Sequence, residues 1–273
     1  MSRLRIRPHA PDDDGTVLSV TPQSAGWSHV GFQVVKLSDG QRFAGGEAGR
    51  EACLVLVAGK ADVVAGGMRF DAVGGRASPF EDRAPGAVYV PAGASYEVTA
   101  RGSVELAVCT APGTGAGAPR LINDADMSRE VRGAGTNTRH VRNILPETQS
   151  ADGLLVVEVV TPAGHWSSYP PHKHDTATPG EETVLEETYY HRTQPRQGFA
   201  FQRVYSDDRS LDEAIAVEDG DVVLVPRGYH PVGAAHGYDL YYLNVMAGPE
   251  RRWLFRNDPD HAWIIAPPPA SGK

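Results

Sequence analysis

The chain has 273 residues, 41% hydrophobic and 22% charged, which is ordinary globular composition with room for one large β domain or two of usual size. Its 26 basic and 34 acidic side chains leave a formal charge of −8, which argues against a nucleic-acid partner or an anionic membrane surface. The charged start, MSRLRIRPHAPDDDG, lacks the apolar core of a secretory signal and no apolar run is long enough to cross a bilayer, so a cytoplasmic protein with no membrane partner is expected.

In chain order, "HVGFQVVKL", "ACLVLVAG", "AVYVPAG" and "VELAVCTA" are strand-length apolar segments punctuated by Gly, Pro and Asp. Cys53 and Cys109, the only two cysteines, sit inside two of these runs and are expected to be buried free thiols. "TAPGTGAGAPR" (Thr110 to Arg120) has the Gly, Ala and Pro content of a flexible connection. Beyond it the style repeats with "GLLVVEVVTPAG", "FAFQRVY", "DVVLVPRG" and "DLYYLNVMAG". Helical periodicity is scarce; "SLDEAIAVEDG" comes nearest, and Gly220 cuts it short. The tail "APPPASGK" reads as a loose terminus. "GAVYVPAGASYEV" in the first half and "GDVVLVPRGYHPV" in the second share Gly, an apolar strand, Pro-x-Gly and a ring-bearing residue. That internal repeat predicts two similar all-β domains, spanning about 1–115 and 116–273, each a sandwich or small barrel.

Eight of the ten histidines lie at or after His140, so imidazole chemistry belongs to the second half. "PPHKHDTATPGEETVLEETYYHR" (Pro170 to Arg192) holds three of them together with four glutamates. On a strand, His172 and His174 point to one face and can share an ion, while Lys173 faces away. "EETYYHR" reads as the returning strand, with a carboxylate able to face the pair, and His230 follows the Pro226–Arg227–Gly228 turn. Three imidazoles and one carboxylate suit a divalent transition ion, zinc first and manganese second. Glu181 and Glu182 are expected to solvate the loop.

His-x-His, a following Glu and a later Gly-x5-Pro-x-Gly…His resemble the cupin metal pattern, and two such halves make a bicupin. "PPHKHD", "LEETYYHR", "GFAFQRVY", "PRGYHPV", "GYDLYYLNVMAG" and "NDPDHAWI" resemble the bicupin uronate-isomerase family, which includes the 5-deoxy-glucuronate isomerases and the 4-deoxy-L-threo-5-hexosulose-uronate ketol-isomerases. The resemblance implies two double-stranded β-helix barrels and an aldose–ketose isomerisation of 5-deoxy-D-glucuronate in myo-inositol catabolism. It implies a metal cage of His172, His174, Glu187 and His230. Twelve residues separate His174 from Glu187 where cupins usually have about four, but the aromatic pair after Glu187 matches the family better than a frame starting at Glu186. The first half has no His-x-His, and Tyr96 stands where the metal histidine would be, so that half is expected to be a metal-free unit that supports the fold and a homo-oligomer. His29 is expected to be an ordinary strand histidine.

An enediolate pathway needs a base for the C2 proton; Glu186 or Glu187, His191, Tyr242 and a metal-bound hydroxide are candidates, while a hydride shift would need no base. A sugar-acid substrate calls for a cation, for which Arg203 and Arg192 are candidates, with Tyr189 offering a hydroxyl and His165 standing beside the cage. Cupin dioxygenases and non-catalytic sugar-binding cupins are the rival classes; oxygen consumption and turnover separate them.

Overall fold

A computed structural model describes residues 2–265; the APPPASGK tail lies outside the described residues. Helix is confined to Pro22–Ala25 and three short 3-10 turns, and strands carry the rest of the regular structure. One sheet runs, neighbour to neighbour, through strands Thr16–Val20, Gly31–Leu37, Val104–Pro112, Arg50–Ala65, Gly86–Val90 and Arg120–Ile122. Arg50–Ala65 is long because it serves two faces of a barrel. Its first part pairs with Gly86–Val90 and Val104–Pro112, its last part with Tyr96–Ala100 and Met68–Arg76. Register shifts between Leu56 and Lys60 mark the bend, as bulges do where a strand changes sheets. Gly59 sits there at φ +92°, and a Cβ on it would come within 2.3 Å of the Ser103 carbonyl oxygen.

The second half builds a seven-stranded sheet in the order Arg5–Ile6, Val222–Val225, Glu186–Gln194, Asp239–Ala247, Leu155–Thr161, Arg139–Leu145 and Ser128–Arg132. A four-stranded sheet of Trp166–Ser167, Val232–Ala234, Phe199–Tyr205 and Asp212–Glu218 faces it. The halves exchange edges. Arg5–Ile6, from the start of the chain, pairs with Val222–Val223, while Arg120–Ile122, beyond the Gly/Pro link, pairs with Gly86–Val90. The link itself is held: Asp152 accepts hydrogen bonds from the backbone of Thr114 (2.7 Å) and Gly115 (3.3 Å). The expectation of a loose connection therefore fails, because a carboxylate caps its free N–H groups.

Three hydrophobic clusters lie in layers. Leu54, Leu56, Val63, Val98 and Leu106 fill the first barrel; Leu155, Val157, Val159, Val204 and Val217 fill the second. The third, between them, joins Cys53, Val55, Phe32 and Cys109 to Tyr190, Tyr241, Leu243 and Val245. Strands such as "ACLVLVAG" thus read as unbroken apolar runs because both of their faces are buried. Cys53 and Cys109 are free, buried and directly opposite one another across the ladder, and burial pushes the Cys53 thiol up to about 12. "SLDEAIAVEDG" is a strand over Asp212–Glu218, not a helix: Ile215 and Val217 are buried while Ala216 and Glu218 face water, a period of two.

Buried carboxylates also join the halves. Glu51 accepts from the backbone of Asp152, Gly153 and Leu154 and from the Tyr89 hydroxyl. Glu158 accepts two bonds from Arg76 (3.0 and 2.8 Å), one from Arg142 and one from Tyr241 (3.1 Å). These ties fix the back wall of the second barrel, from which its inward side chains project.

Candidate metal centre

Alternation along Glu186–Gln194 sorts its side chains. Glu187, Tyr189, His191 and Thr193 point into the second barrel; Glu186, Tyr190 and Arg192 point toward the first half. Two adjacent glutamates therefore have unrelated jobs. Glu186 accepts from the backbone N–H groups of Ser28 (2.7 Å), His29 (2.8 Å) and Val30 (2.9 Å), with the His29 ring 3.3 Å away. Glu187, 2% exposed, lies with one carboxylate oxygen 3.0 Å from His174 Nε2 and 3.2 Å from His230 Nε2.

His172, His174 and His230 are all buried, and one ring nitrogen from each falls within 4.8 Å of the others. His174 Nδ1 lies 3.0 Å from the Leu185 carbonyl and His230 Nδ1 lies 2.9 Å from the Gly228 carbonyl. Each Nδ1–H donates to its carbonyl, so each Nε2 keeps its lone pair for the centre of the cluster. His172 is held by packing, its ring 4.6 Å from Phe255 and 4.8 Å from His230. His230 Nε2 is buried without a hydrogen-bond partner among the described residues, an orphan that an ion would satisfy. Burial and the neighbouring imidazoles hold His172 well below the ordinary histidine range, and burial brings His230 down to about 4. Burial opposes charge on His174 too, but the Glu187 carboxylate outweighs it and pushes the ring up. Once an ion takes the place of the proton that Glu187 favours on His174, three imidazole lone pairs beside one carboxylate are the donor set that a divalent transition ion requires, and these residues fit it.

The loop carrying the histidine pair is braced from below. Lys173 faces away from the cluster, as expected, and donates to Asp175, Thr176 and Glu182. Asp175 accepts from Gly228 N (2.8 Å), tying the His-x-His loop to the turn that presents His230. Glu181 is exposed, but Glu182 is not the solvating residue expected: it is 3% exposed and accepts from the backbone of Asp175 (2.9 Å) and Thr176 (3.0 Å). An unpaired loop N–H is costly to bury, and Glu182 answers two of them.

Around the cluster stand groups of mixed legibility. Tyr189 lies with its ring 5.7 Å from His230 and 4.9 Å from Tyr242. Its hydroxyl meets Ser168 Oγ at 2.8 Å, and the Tyr242 hydroxyl meets Ser167 Oγ. Ser168 sits at φ +51°, a left-handed backbone rare for a non-glycine residue, and nothing in its sequence context signals the pair of serines. Burial pushes both tyrosines above the usual phenol range, which keeps their hydroxyls protonated. His191 stacks on Tyr189, and its Nε2 meets Gln202 Oε1 at 3.0 Å. That bond makes Nε2 the protonated nitrogen and leaves Nδ1, buried and unpartnered, with a lone pair; burial brings the ring down to about 4. Gln202 carries no signal of this role in the sequence, where it is one polar residue in an aromatic strand.

Two expectations fail on strand phase. Arg203 lies on the outer face of Phe199–Tyr205, its side chain 46% exposed and paired with Asp212 at 2.7 Å, so it does not line the barrel. Arg192 shares the face of Glu186 and is taken by Glu105 and Asp219 between the halves. His165 is not among the three grouped imidazoles; its Nδ1 lies 3.0 Å from the Thr138 carbonyl. Tyr96 lies in the first barrel's interior beside Phe43, ring to ring at 6.4 Å. A cation on the second barrel's inner strand face is Arg139, two residues from the buried Val141, with Nη1 donating to the Asn137 and Tyr169 carbonyls.

Known proteins resemble this chain in sequence and fold. The chain is 56% identical over 265 residues to the 5-deoxy-glucuronate isomerase of Geobacillus kaustophilus, covering 97% of this chain and 96% of that one. It is 47% identical over 269 residues to the protein of the same name from Bacillus subtilis strain 168, covering 97% and 99%. An iolB-like protein of Salmonella typhimurium superposes with a TM-score of 0.94 at 53% identity, over 96% of this chain and 99% of that one. Oxalate decarboxylase of Lactobacillus farciminis follows at a TM-score of 0.66 and 15% identity, over 94% of this chain and 89% of that one, a likeness of cupin fold alone. No helix among the described residues is long and apolar enough to cross a membrane. A family model for KduI/IolB matches residues 5–264, and the chain belongs to that family.

Proposed function

We propose that this isomerase converts 5-deoxy-D-glucuronate to 5-dehydro-2-deoxy-D-gluconate, using a divalent metal, zinc or manganese, held by His172, His174, Glu187 and His230. The observation that carries this is the convergence of three buried imidazoles beside the buried Glu187 inside the second barrel. The names of relatives at 47–56% identity support the substrate.

When bound, the ion would supply Lewis acidity toward the C1 and C2 oxygens of the open-chain sugar. The chain's own groups do the rest. The reaction moves one proton from C2 to C1 and one from O2 to O1, so a group that can accept and return a proton must lie over those carbons. His191 suits that role, because Gln202 fixes its tautomer and its free lone pair at Nδ1 is kept from water. The Tyr242 and Tyr189 hydroxyls, oriented by Ser167 and Ser168, are donors for the oxygens where charge grows. The Phe255 ring packs against His172, 4.6 Å away. The first half is proposed to be a metal-free barrel spanning about 1–115, with the working half from 116 on. A homo-oligomer in the cytosol completes the proposal.

The test is incubation of zinc- or manganese-loaded protein with 5-deoxy-glucuronate, following the ketose by NMR, with 4-deoxy-L-threo-5-hexosulose-uronate as comparison. Ketose from the first sugar at the higher kcat/KM is expected. Turnover of the second alone would overturn the substrate assignment.

A further inference from the structure

We propose that Arg139 is the residue that grips the substrate's carboxylate and makes the enzyme specific for a sugar acid, a proposal that rests on the uronate assignment above. Strand register sets its position. Val141 pairs with Val159, Val159 with Tyr242 and Tyr242 with His191, one continuous row across four strands of the second barrel. Val141, Val159 and Tyr242 all pack in the barrel's interior cluster. Arg139 is two residues from Val141 and so shares its face, at the first position of the strand.

Its hydrogen bonding leaves it available. Nη1 donates to the carbonyls of Asn137 (3.1 Å) and Tyr169 (3.1 Å) and to Asn137 Oδ1 (3.3 Å), which fixes the plane of the guanidinium. Among the described residues its other two nitrogens have no protein acceptor, and no carboxylate forms an ion pair with it. The contrast with the other buried arginines is informative. Arg76, Arg142, Arg192 and Arg5 each face a carboxylate. Arg251 faces none, but it spends all three nitrogens on backbone carbonyls. Arg139 alone among these is a half-buried cation with donors to spare. A fixed guanidinium whose Nε–H and Nη2–H edge is free takes a carboxylate in a bidentate pair through that edge. Because the carboxylate lies at the end of the sugar away from C1 and C2, this grip is the same before and during reaction and should act on KM.

The experiment compares Arg139→Gln and Arg139→Lys with the parent enzyme on 5-deoxy-glucuronate and on its C6 carboxamide, with metal content and melting temperature measured for each. Arg139→Gln is expected to lower kcat/KM on the acid by about 100-fold, mostly through KM, with less than about threefold loss on the amide, and Arg139→Lys to recover part of the preference for the acid. Equal losses on acid and amide would show a merely structural arginine and overturn the proposal. If the parent enzyme turns over neither compound, the activity assignment fails, and calorimetric binding of the acid decides the role of Arg139. Binding lost in Arg139→Gln supports the grip; equal binding in the two proteins, or none in the parent, overturns it.

Discussion

Replacing the two neighbouring glutamates one at a time should produce opposite failures. Glu186→Gln touches no imidazole of the cluster but weakens three charge-assisted bonds from the backbone of Ser28, His29 and Val30. A charged acceptor exceeds a neutral one by about 1 kcal/mol per bond, so the metal-free protein should lose about 2–3 kcal/mol of stability. In a chain of this size that is a fall in melting temperature of roughly 4–10 °C. Glu187→Gln keeps its shape and leaves those ties intact, but removes the one anion beside His174 and His230. Partners one shell beyond a metal ligand are worth roughly 10–100-fold in affinity, so losing the anionic ligand itself should cost at least about 100-fold. The assay is metal content by elemental analysis together with thermal melting of the stripped proteins. Glu186→Gln should melt early and keep its metal; Glu187→Gln should keep its melting temperature and lose the metal. The reverse pattern would refute the argument from strand phase.

Glu158→Ala should lower stability by about 3–5 kcal/mol in urea unfolding, because it strands the buried Arg76 and Arg142 charges between the halves. Gln202→Leu should leave metal content unchanged while lowering kcat by roughly 10-fold or more, since His191 then loses the bond that fixes its tautomer. Arg203→Ala should leave KM unchanged and shift stability by less than about 1 kcal/mol, as its partner Asp212 is a surface one; a large rise in KM would put the carboxylate site on the outer face of that strand.

Much of the site was legible because its residues obey strand periodicity near strong punctuation. His172 and His174 share a face, Pro226–Arg227–Gly228 presents His230, and the aromatic pair after Glu187 matches the family's frame. Arg192 could have been excluded on the same grounds: with Glu187 inside, parity puts Arg192 outside. Arg203 is harder. In "FAFQRVY" a hydrophobic count places Phe199 and Phe201 inside and Arg203 with them, yet those phenylalanines are 43% and 55% exposed while Ala200, Gln202 and Val204 face the core. Ala200 and Val204 pack in the same interior cluster as Tyr189 and Tyr242. Ser167 and Ser168 depend on a left-handed backbone that no local residue type announces. Arg139 carries no motif; what marks it is the absence of a carboxylate partner, which only the fold reveals. "SLDEAIAVEDG" misleads because its charged residues mask the alternation of Ile215 and Val217.

The central claim is that a metal held by these residues is needed for the isomerisation, and metal removal tests it most directly. Protein stripped by chelation, verified metal-free by elemental analysis and shown to be folded by its melting curve, should fail to convert 5-deoxy-glucuronate, and adding Zn²⁺ or Mn²⁺ should restore turnover. Full-rate conversion by the verified metal-free protein would contradict the account.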